Sequence, residues 1–399
     1  MMPAQLESSP MSSFSHALSS LPVQIATITG SRMILNTGFR MIYPLLPVFA
    51  RSLNVELTAI ASILAVTQVL GLSAPFIGGI AERYGRKLTI LMGMSCFALA
   101  MLAVFIFPNL TGLALAFWLG ALGKIAVDPA VQAYIGDRVS YERRGLYLGI
   151  AELSWSGAFL IGVPIMTWMI ATFNWQAPFA LLAVLTLVAM AVVAVVLTAD
   201  RPDVVQHVSF LRAMRVAVNS PMAIAGLVLG FGISGANQLV NVVFGSWIEL
   251  SFGVQLAALA TASAVIGVSE LVGEGAVTAF ADRFGKRRLI MLGIVGNIAA
   301  GLALPFMDAH LTLALIGLFC FYLTFELSLV ATLPLATELS PQSRAMYMTV
   351  FVVAVTIGRS IITPLAPVIF NYGLIANALI AMGLNLLALI AVWRFIRFD

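Results

Sequence analysis

Apolar residues in this chain fall into long runs separated by short clusters of Gly, Pro, Asn and charged residues. The runs cover about 23–49, 58–80, 88–107, 110–136, 146–170, 177–199, 221–249, 256–280, 289–307, 310–336, 346–369 and 373–395. A helix crossing a bilayer takes roughly 20 apolar residues. A barrel strand takes about ten, alternating apolar with polar. The runs are too long and too uniformly apolar for strands, so the pattern predicts an all-α membrane protein with twelve transmembrane helices.

Composition agrees. Of 399 residues, 61% are hydrophobic and 10% charged, whereas a soluble domain has about 25% charged. A soluble enzyme and a disordered chain are excluded. The Lys and Arg residues then set the orientation. One set of loops carries Arg83, Arg86, Lys87, Arg138, Arg143, Arg144, Arg201, Arg212, Arg215, Arg283, Lys286, Arg287, Arg288 and Arg344, to which the C-terminal end adds Arg394 and Arg397; the other set carries only Arg51, a split of 16 to 1. Basic loops stay inside, so both termini are expected in the cytoplasm of a multi-pass protein of the cell (plasma or inner) membrane. Before Val23 there is no Lys or Arg, so the basic start of a cleaved signal peptide is missing and the first run reads as a retained helix.

The expected organisation is a cytoplasmic tail (1–22), a six-helix bundle (23–199), a linker (200–220) and a second six-helix bundle (221–396). In the linker Val204, Val205, Val208, Leu211 and Val216 alternate with Arg201, Arg212 and Arg215, the pattern of a short helix on the membrane surface. Shifting the chain by 200 positions aligns its halves. Glu82, Arg83, Gly85, Arg86 and Lys87 meet Asp282, Arg283, Gly285, Lys286 and Arg287; Gly93 meets Gly293; Ser140, Arg144 and Tyr147 meet Ser340, Arg344 and Tyr347; Pro164 meets Pro364. Such a parallel repeat is what two bundles rocking about a central site require.

The loop from Gly78 through Glu82, Arg83, Gly85, Arg86 and Lys87 resembles the signature G-x-x-x-D-R-x-G-R-R of the major facilitator superfamily, with Glu82 in place of Asp. The second copy has Thr278 in place of the leading Gly. The resemblance implies alternating access, with Gly78, Glu82, Arg83, Gly85, Arg86, Asp282, Arg283 and Gly285 as gating residues; a plain basic anchor is the other reading. Gly157, Gly162 and Pro164 are similar to the glycine-proline signature of the family's proton-coupled exporters, although Val163 stands where a Gly belongs. The Arg that many of those exporters carry early in span 4 is replaced by Phe117 or Trp118.

Away from the run ends, nine ionisable residues remain within the spans: Arg32, Arg40, Lys124, Asp128, Glu152, Glu270, Glu274, Glu326 and Arg359. Runs 3, 6, 9 and 12, which the resemblance makes peripheral supports, have no charge in their apolar cores. A charge facing lipid costs about 2.5 kcal/mol or more, so these residues are expected around a central cavity. Arg32, Asn36, Arg40 and Tyr43 make one polar stripe; Lys124 and Asp128, Asn237 and Asn241, and Glu270 and Glu274 are pairs one turn apart. Asp128 and Glu152 read either as a structural network near Arg138, Arg143 and Arg144 or as coupling groups. Glu270, Glu274 and Glu326 read as proton carriers or as partners of Arg40 and Arg359 in permanent ion pairs. Arg40, Asn36, Arg359, Lys124, Asn237, Asn241 and Tyr322 are the candidate substrate contacts, with Trp155, Phe159 and Trp247 as apolar surface nearby.

Cys96 and Cys320 lie far apart, and His16, His207 and His310 lie in the tail, the linker and a loop. Neither a metal set nor a nucleophile with its base results, and no G-x-x-x-x-G-K-[ST] phosphate loop is present. An enzyme is not expected, nor a cofactor or metal. The net charge of +4 is spread over loops and calls for no nucleic acid. The chain reads as a secondary active transporter, a monomer whose partners are a small molecule, protons and the bilayer. Proton-coupled export of an amphipathic organic compound is the first reading; uptake of an organic anion between Arg40 and Arg359 is the alternative.

Overall fold

A computed structural model describes residues 20–73, 83–199, 220–253, 255–340 and 344–396. Among them there are helices and no strands. The first half contains α1 (Leu21–Arg40), α2 (Ile42–Leu53), α3 (Leu57–Leu70), α4 (Arg86–Ile106), α5 (Leu110–Arg138), α6 (Tyr141–Gly157), α7 (Val163–Thr172) and α8 (Ala177–Val196). The second contains α9 (Pro221–Asn241), α10 (Phe244–Phe252), α11 (Leu256–Phe284), α12 (Lys286–Ala303), α13 (Leu311–Glu338), α14 (Arg344–Phe370) and α15 (Leu374–Phe395).

The breaks have local causes. Pro44 has no N–H for the carbonyl of Arg40 and its ring crowds that carbonyl; α1 and α2 meet there at 48°. Five residues of π-helix, Ala158–Gly162, join α6 to α7 just ahead of Pro164. Side chains cap the starts of α5 and α9: Asn109 Oδ1 accepts from the Thr111 and Gly112 amides at 3.0 and 3.2 Å, and Ser220 Oγ from Ala223 N–H at 3.0 Å.

Ten elements are long and apolar enough to cross a membrane, or eleven if α1 and α2 make one bent span. This is fewer than the twelve expected, because the second run is described only as α3 and a 3₁₀ turn ending at Ser73, and residues 74–82 lie outside the description. The tail and the linker, with His16 and His207, lie outside it too. Large apolar side chains such as Leu99, Ile106, Val195 and Trp393 are exposed on outer faces, while Arg32, Arg40, Glu270 and Glu326 are buried. That inverts a soluble protein's arrangement and suits lipid as the surrounding medium.

Packing follows one plan twice. In the first half α1 lies on α6 and α8, α4 on α5 and α8, and α3 on α5; in the second α9 lies on α14 and α15, α12 on α13 and α15, and α11 on α13. The aligned glycines serve equivalent contacts. A Cβ on Gly93 would stand 2.5 Å from the Gly123 carbonyl, and one on Gly293 2.8 Å from the Ser328 nitrogen. Among the described residues the halves meet mainly along three seams: α3 against α14, α11 against α2, α6, α7 and the π turn, and α2 against α10.

Candidate functional site

Between the seams lies a cavity of about 1270 Å³. Its inner wall includes Arg40, Tyr43, Gln68, Asn241, Glu270 and Arg359, and its lining continues past Gln132 and Thr278 to Leu146 and Leu333. The last two are 64% and 43% exposed, so the cavity opens at the end of the molecule that bears Arg83–Lys87 and Arg283–Arg288.

The opposite end is closed. Arg51 and Glu249 form a two-pronged ion pair across the halves, with Nη2 to Oε1 at 2.9 Å and Nη1 bonded to Oε2. Beneath it Gly245 sits so close to α2 that a Cβ there would be 2.5 Å from the Pro44 carbonyl oxygen. Phe49, Phe244, Trp247 and Ile248 are buried in the same apolar cluster.

At the centre, Arg40 crosses from α1 to Glu270 on α11. Nη1 donates to Oε2 at 2.6 Å and to the Trp155 carbonyl at 3.1 Å, and Nη2 donates to Oε1. The guanidinium lies over the rings of Phe159 and Trp155, 3.6 and 4.4 Å from their centroids. The π turn thus supplies the Phe159 ring, and the end of α6 the Trp155 ring and carbonyl, to the cation that joins the halves.

A second network stays within the first half. Arg32 reaches Asp128 Oδ1 at 3.3 Å and Glu152 Oε1 at 3.0 Å; Lys124 donates to Asp128 Oδ2 at 2.5 Å and Asn36 Oδ1 at 2.7 Å; Asn36 donates to Ser154 Oγ at 3.1 Å. The partners of Asp128 and Glu152 are therefore on α1 and α5, not on the loop. Arg138 instead donates to Thr198 and lies over Tyr134, and Arg144 donates to the Gly136 carbonyl.

Across the cavity, Tyr322 donates to Asn241 Oδ1 at 2.8 Å and Gln238 to Thr363 Oγ1 at 2.9 Å. Glu274 is half-buried and accepts from Ser156 at 3.4 Å. Glu326 is 4% exposed, and among the described residues its carboxylate has no ion pair or hydrogen bond. Arg359 has no ion pair there either, and its Nε is buried without a partner, as is Asn237 Nδ2. Of the two readings of Arg40, anion contact or partner of a buried glutamate, this arrangement has the second: Arg40 is engaged by Glu270, whereas Arg359 has no ion pair among the described residues. Trp247 lies at the closed end, outside the cavity lining, and packs in the apolar cluster there.

Of the gating candidates, Gly78 and Glu82 lie outside the described residues, as does the side chain of Asp282. Gly85 and Gly285 take φ of 89° and 83°, a turn that only Gly makes without strain. Arg83 and Arg283 lie near the rings of Tyr84 and Phe284, at 5.4 and 5.9 Å. The loops repeat their contacts as they repeat their residues. Arg86 pairs with Asp137 at 3.4 Å and Lys286 with Glu338 at 2.5 Å; Lys87 donates to the Ala194 carbonyl and Arg287 to that of Trp393. Each of these contacts joins helices of one half.

Sequence reasoning passed over Glu249, Pro44 and Gly245. Glu249 carried a signal, since it is an acidic residue 198 positions after Arg51, close to the 200-residue register. Pro44 and Gly245 have the same spacing within one residue, but nothing in a Pro or a Gly announces a contact.

The comparisons agree with this architecture. A family model described as Major Facilitator Superfamily matches residues 28–325. The uncharacterized MFS-type transporter YwfA of Bacillus subtilis is 24% identical over 88% of this chain and 86% of that protein. Multidrug resistance protein 2 of the same organism is 24% identical over 73% of this chain and 74% of its own. Among solved structures, a bacterial homolog of the human lysosomal transporter Spinster, in an inward-facing and unoccupied conformation, superposes with a TM-score of 0.73 at 15% identity, covering 98% of this chain and 100% of that one.

Proposed function

The chain belongs to the major facilitator superfamily, a multi-pass membrane transporter and no enzyme, and from that premise we propose that it exports a small amphipathic organic compound from the cell in exchange for protons. Its two halves rock about the central cavity, which lies open to the cytoplasm in the arrangement described, since the basic end is the cytoplasmic one. The cell membrane is its site, both termini are cytoplasmic, and the chain works as a monomer. A cavity of about 1270 Å³ is ample for a drug-sized molecule.

Glu326 carries the reading. Asp128, Glu152 and Glu270 each have a basic partner, whereas Glu326 is buried in the cavity wall with none among the described residues. A bare carboxylate there is costly, and either a proton or a cationic group of the cargo relieves it. One site that holds one or the other, in turn, exchanges them. Glu270 has a separate part: with Arg40 it ties the halves together at mid-depth, and the charges must part or turn about each other as the molecule reorients. Names of relatives such as Multidrug resistance protein 2 favour export over uptake.

The test uses proteoliposomes with an acid interior and a compound selected by ligand-induced thermal stabilisation. Adding it should dissipate the pH gradient, and Glu326→Gln should abolish that while the protein still elutes as a single folded species. Undiminished dissipation by Glu326→Gln would remove this carboxyl group as the exchanger.

A further inference from the structure

Two residues of the second half that line the cavity, Asn237 and Arg359, carry buried hydrogen-bond donors that have no partner among the described residues. Asn237 is 4% exposed and its Nδ2 has no partner; Arg359, also in the cavity wall, has a buried Nε without one. A buried donor left unmade is costly, and such groups are normally satisfied. Their neighbours are satisfied: Gln238 bonds Thr363 and Asn241 bonds Tyr322.

These donors are also held firmly. A Cβ on Gly358 would stand 2.6 Å from the Phe231 carbonyl oxygen, so α9 and α14 lie backbone to backbone just before Asn237 and Arg359. Both side chains offer N–H groups at this seam, and one carries a fixed positive charge. That chemistry suits a carboxylate, which accepts two parallel bonds from a planar guanidinium. In the same cavity Glu326 is an unpaired group of opposite sign, and no ion pair joins it to Arg359. Two opposite charges that share a cavity without neutralising each other are matched by a ligand that carries both.

We propose that Arg359 and Asn237 form the subsite for an anionic oxygen group of the cargo, so that the transported compound is an amphiphile bearing a carboxylate as well as a basic nitrogen. This rests on the exporter reading, in which the nitrogen exchanges with a proton at Glu326, and adds the group that selects among amphiphiles.

Three matched probes separate the parts: 1-(4-phenylbutyl)piperidine-4-carboxylic acid, a zwitterion; its carboxamide, a cation; and the N-acyl analogue 1-(4-phenylbutanoyl)piperidine-4-carboxylic acid, an anion. Isothermal titration on the full chain in detergent should find the zwitterion tightest by about tenfold or more. Arg359→Gln should bring it down to the level of the carboxamide measured on the same variant, and Glu326→Gln should bring it down to that of the N-acyl acid. Asn237→Asp, which puts a repelling oxygen at the donor's place, should mimic Arg359→Gln and stands in if that variant does not fold. Equal binding of zwitterion and carboxamide, an unchanged preference in both Arg359→Gln and Asn237→Asp, or no binding of any probe overturns the subsite. Gradient dissipation by the carboxamide in that case leaves the exporter reading intact. Binding that obeys the pattern without any probe moving against protons would instead sink the exporter reading and keep the subsite.

Discussion

Replacing Gly245 by Ala should pry open the closed end of the molecule. The new Cβ would sit 2.5 Å from the Pro44 carbonyl oxygen and 3.0 Å from the carbon behind it, where ordinary contact begins at 3.4 Å. The neighbours are backbone atoms of a helix already bent at that point, so relief requires α2 and α10 to separate by about 0.9 Å, the difference between 2.5 and 3.4 Å. Overpacking of this kind costs about 1–3 kcal/mol. A conformation in which the two helices are apart does not bear that cost, so the balance should shift toward it by a factor of about 5 to 150. Removing both members of the ion pair above with Arg51→Ala/Glu249→Ala should act in the same direction but less, by about 1 kcal/mol or below, because the Arg51 side chain is 47% exposed and the double variant strands neither charge. Spin labels attached through Glu56→Cys and Gln255→Cys, in a background lacking Cys96 and Cys320, report the separation by double electron–electron resonance. Gly245→Ala should add or enlarge a long-distance population and exceed Arg51→Ala/Glu249→Ala in doing so. An unchanged distance distribution, or the reverse order of the two variants, would refute the contact as a gate.

Three further outcomes follow from the packing and the charges. Arg40→Gln or Glu270→Gln alone strands a buried charge and should lower stability in thermal unfolding by about 3–5 kcal/mol, while the double variant should lose clearly less than the sum. Asp128→Asn, which leaves Arg32 and Lys124 short of a shared acceptor, should lower the melting temperature more than Arg138→Gln, whose contacts go to Thr198. Gly93→Ala and Gly293→Ala should each destabilise by about 1–3 kcal/mol in the same assay, since each adds a methyl group against the backbone of a facing helix.

What the sequence discloses depends on whether a feature is one-dimensional. Run length and charge sign are, and so the all-helical membrane class was legible residue by residue. The 200-position register was legible too, and its contacts return in space, with Gly93 and Gly293 or Arg86 and Lys286 in matching places. That ionisable residues in apolar runs gather at one cavity also followed from the cost of charge in lipid. Which cation meets which anion did not follow, because pairing is set by how helices far apart in sequence face each other. Asp128 lies ten residues from Arg138, yet its partners are Arg32 and Lys124. Arg40 finds Glu270, 230 positions on, and in doing so leaves Arg359 and Glu326 without partners. The composition is the same whichever pairing is chosen, but the consequence is not. Had Arg40 met Glu326, the buried unpaired carboxylate would have been Glu270 on α11, at the seam with the first half, and a proton arriving there would weaken the closure between halves directly. With Arg40 on Glu270, that seam is neutralised, and the groups proposed to bind cargo and proton stand on α9, α13 and α14, all in the second half. Loading of the second half must then reach the seam through α11, which packs on α13, and Gly273 shortens that route: a Cβ there would lie 2.7 Å from the Cβ of Glu326, three residues along the helix from Glu270.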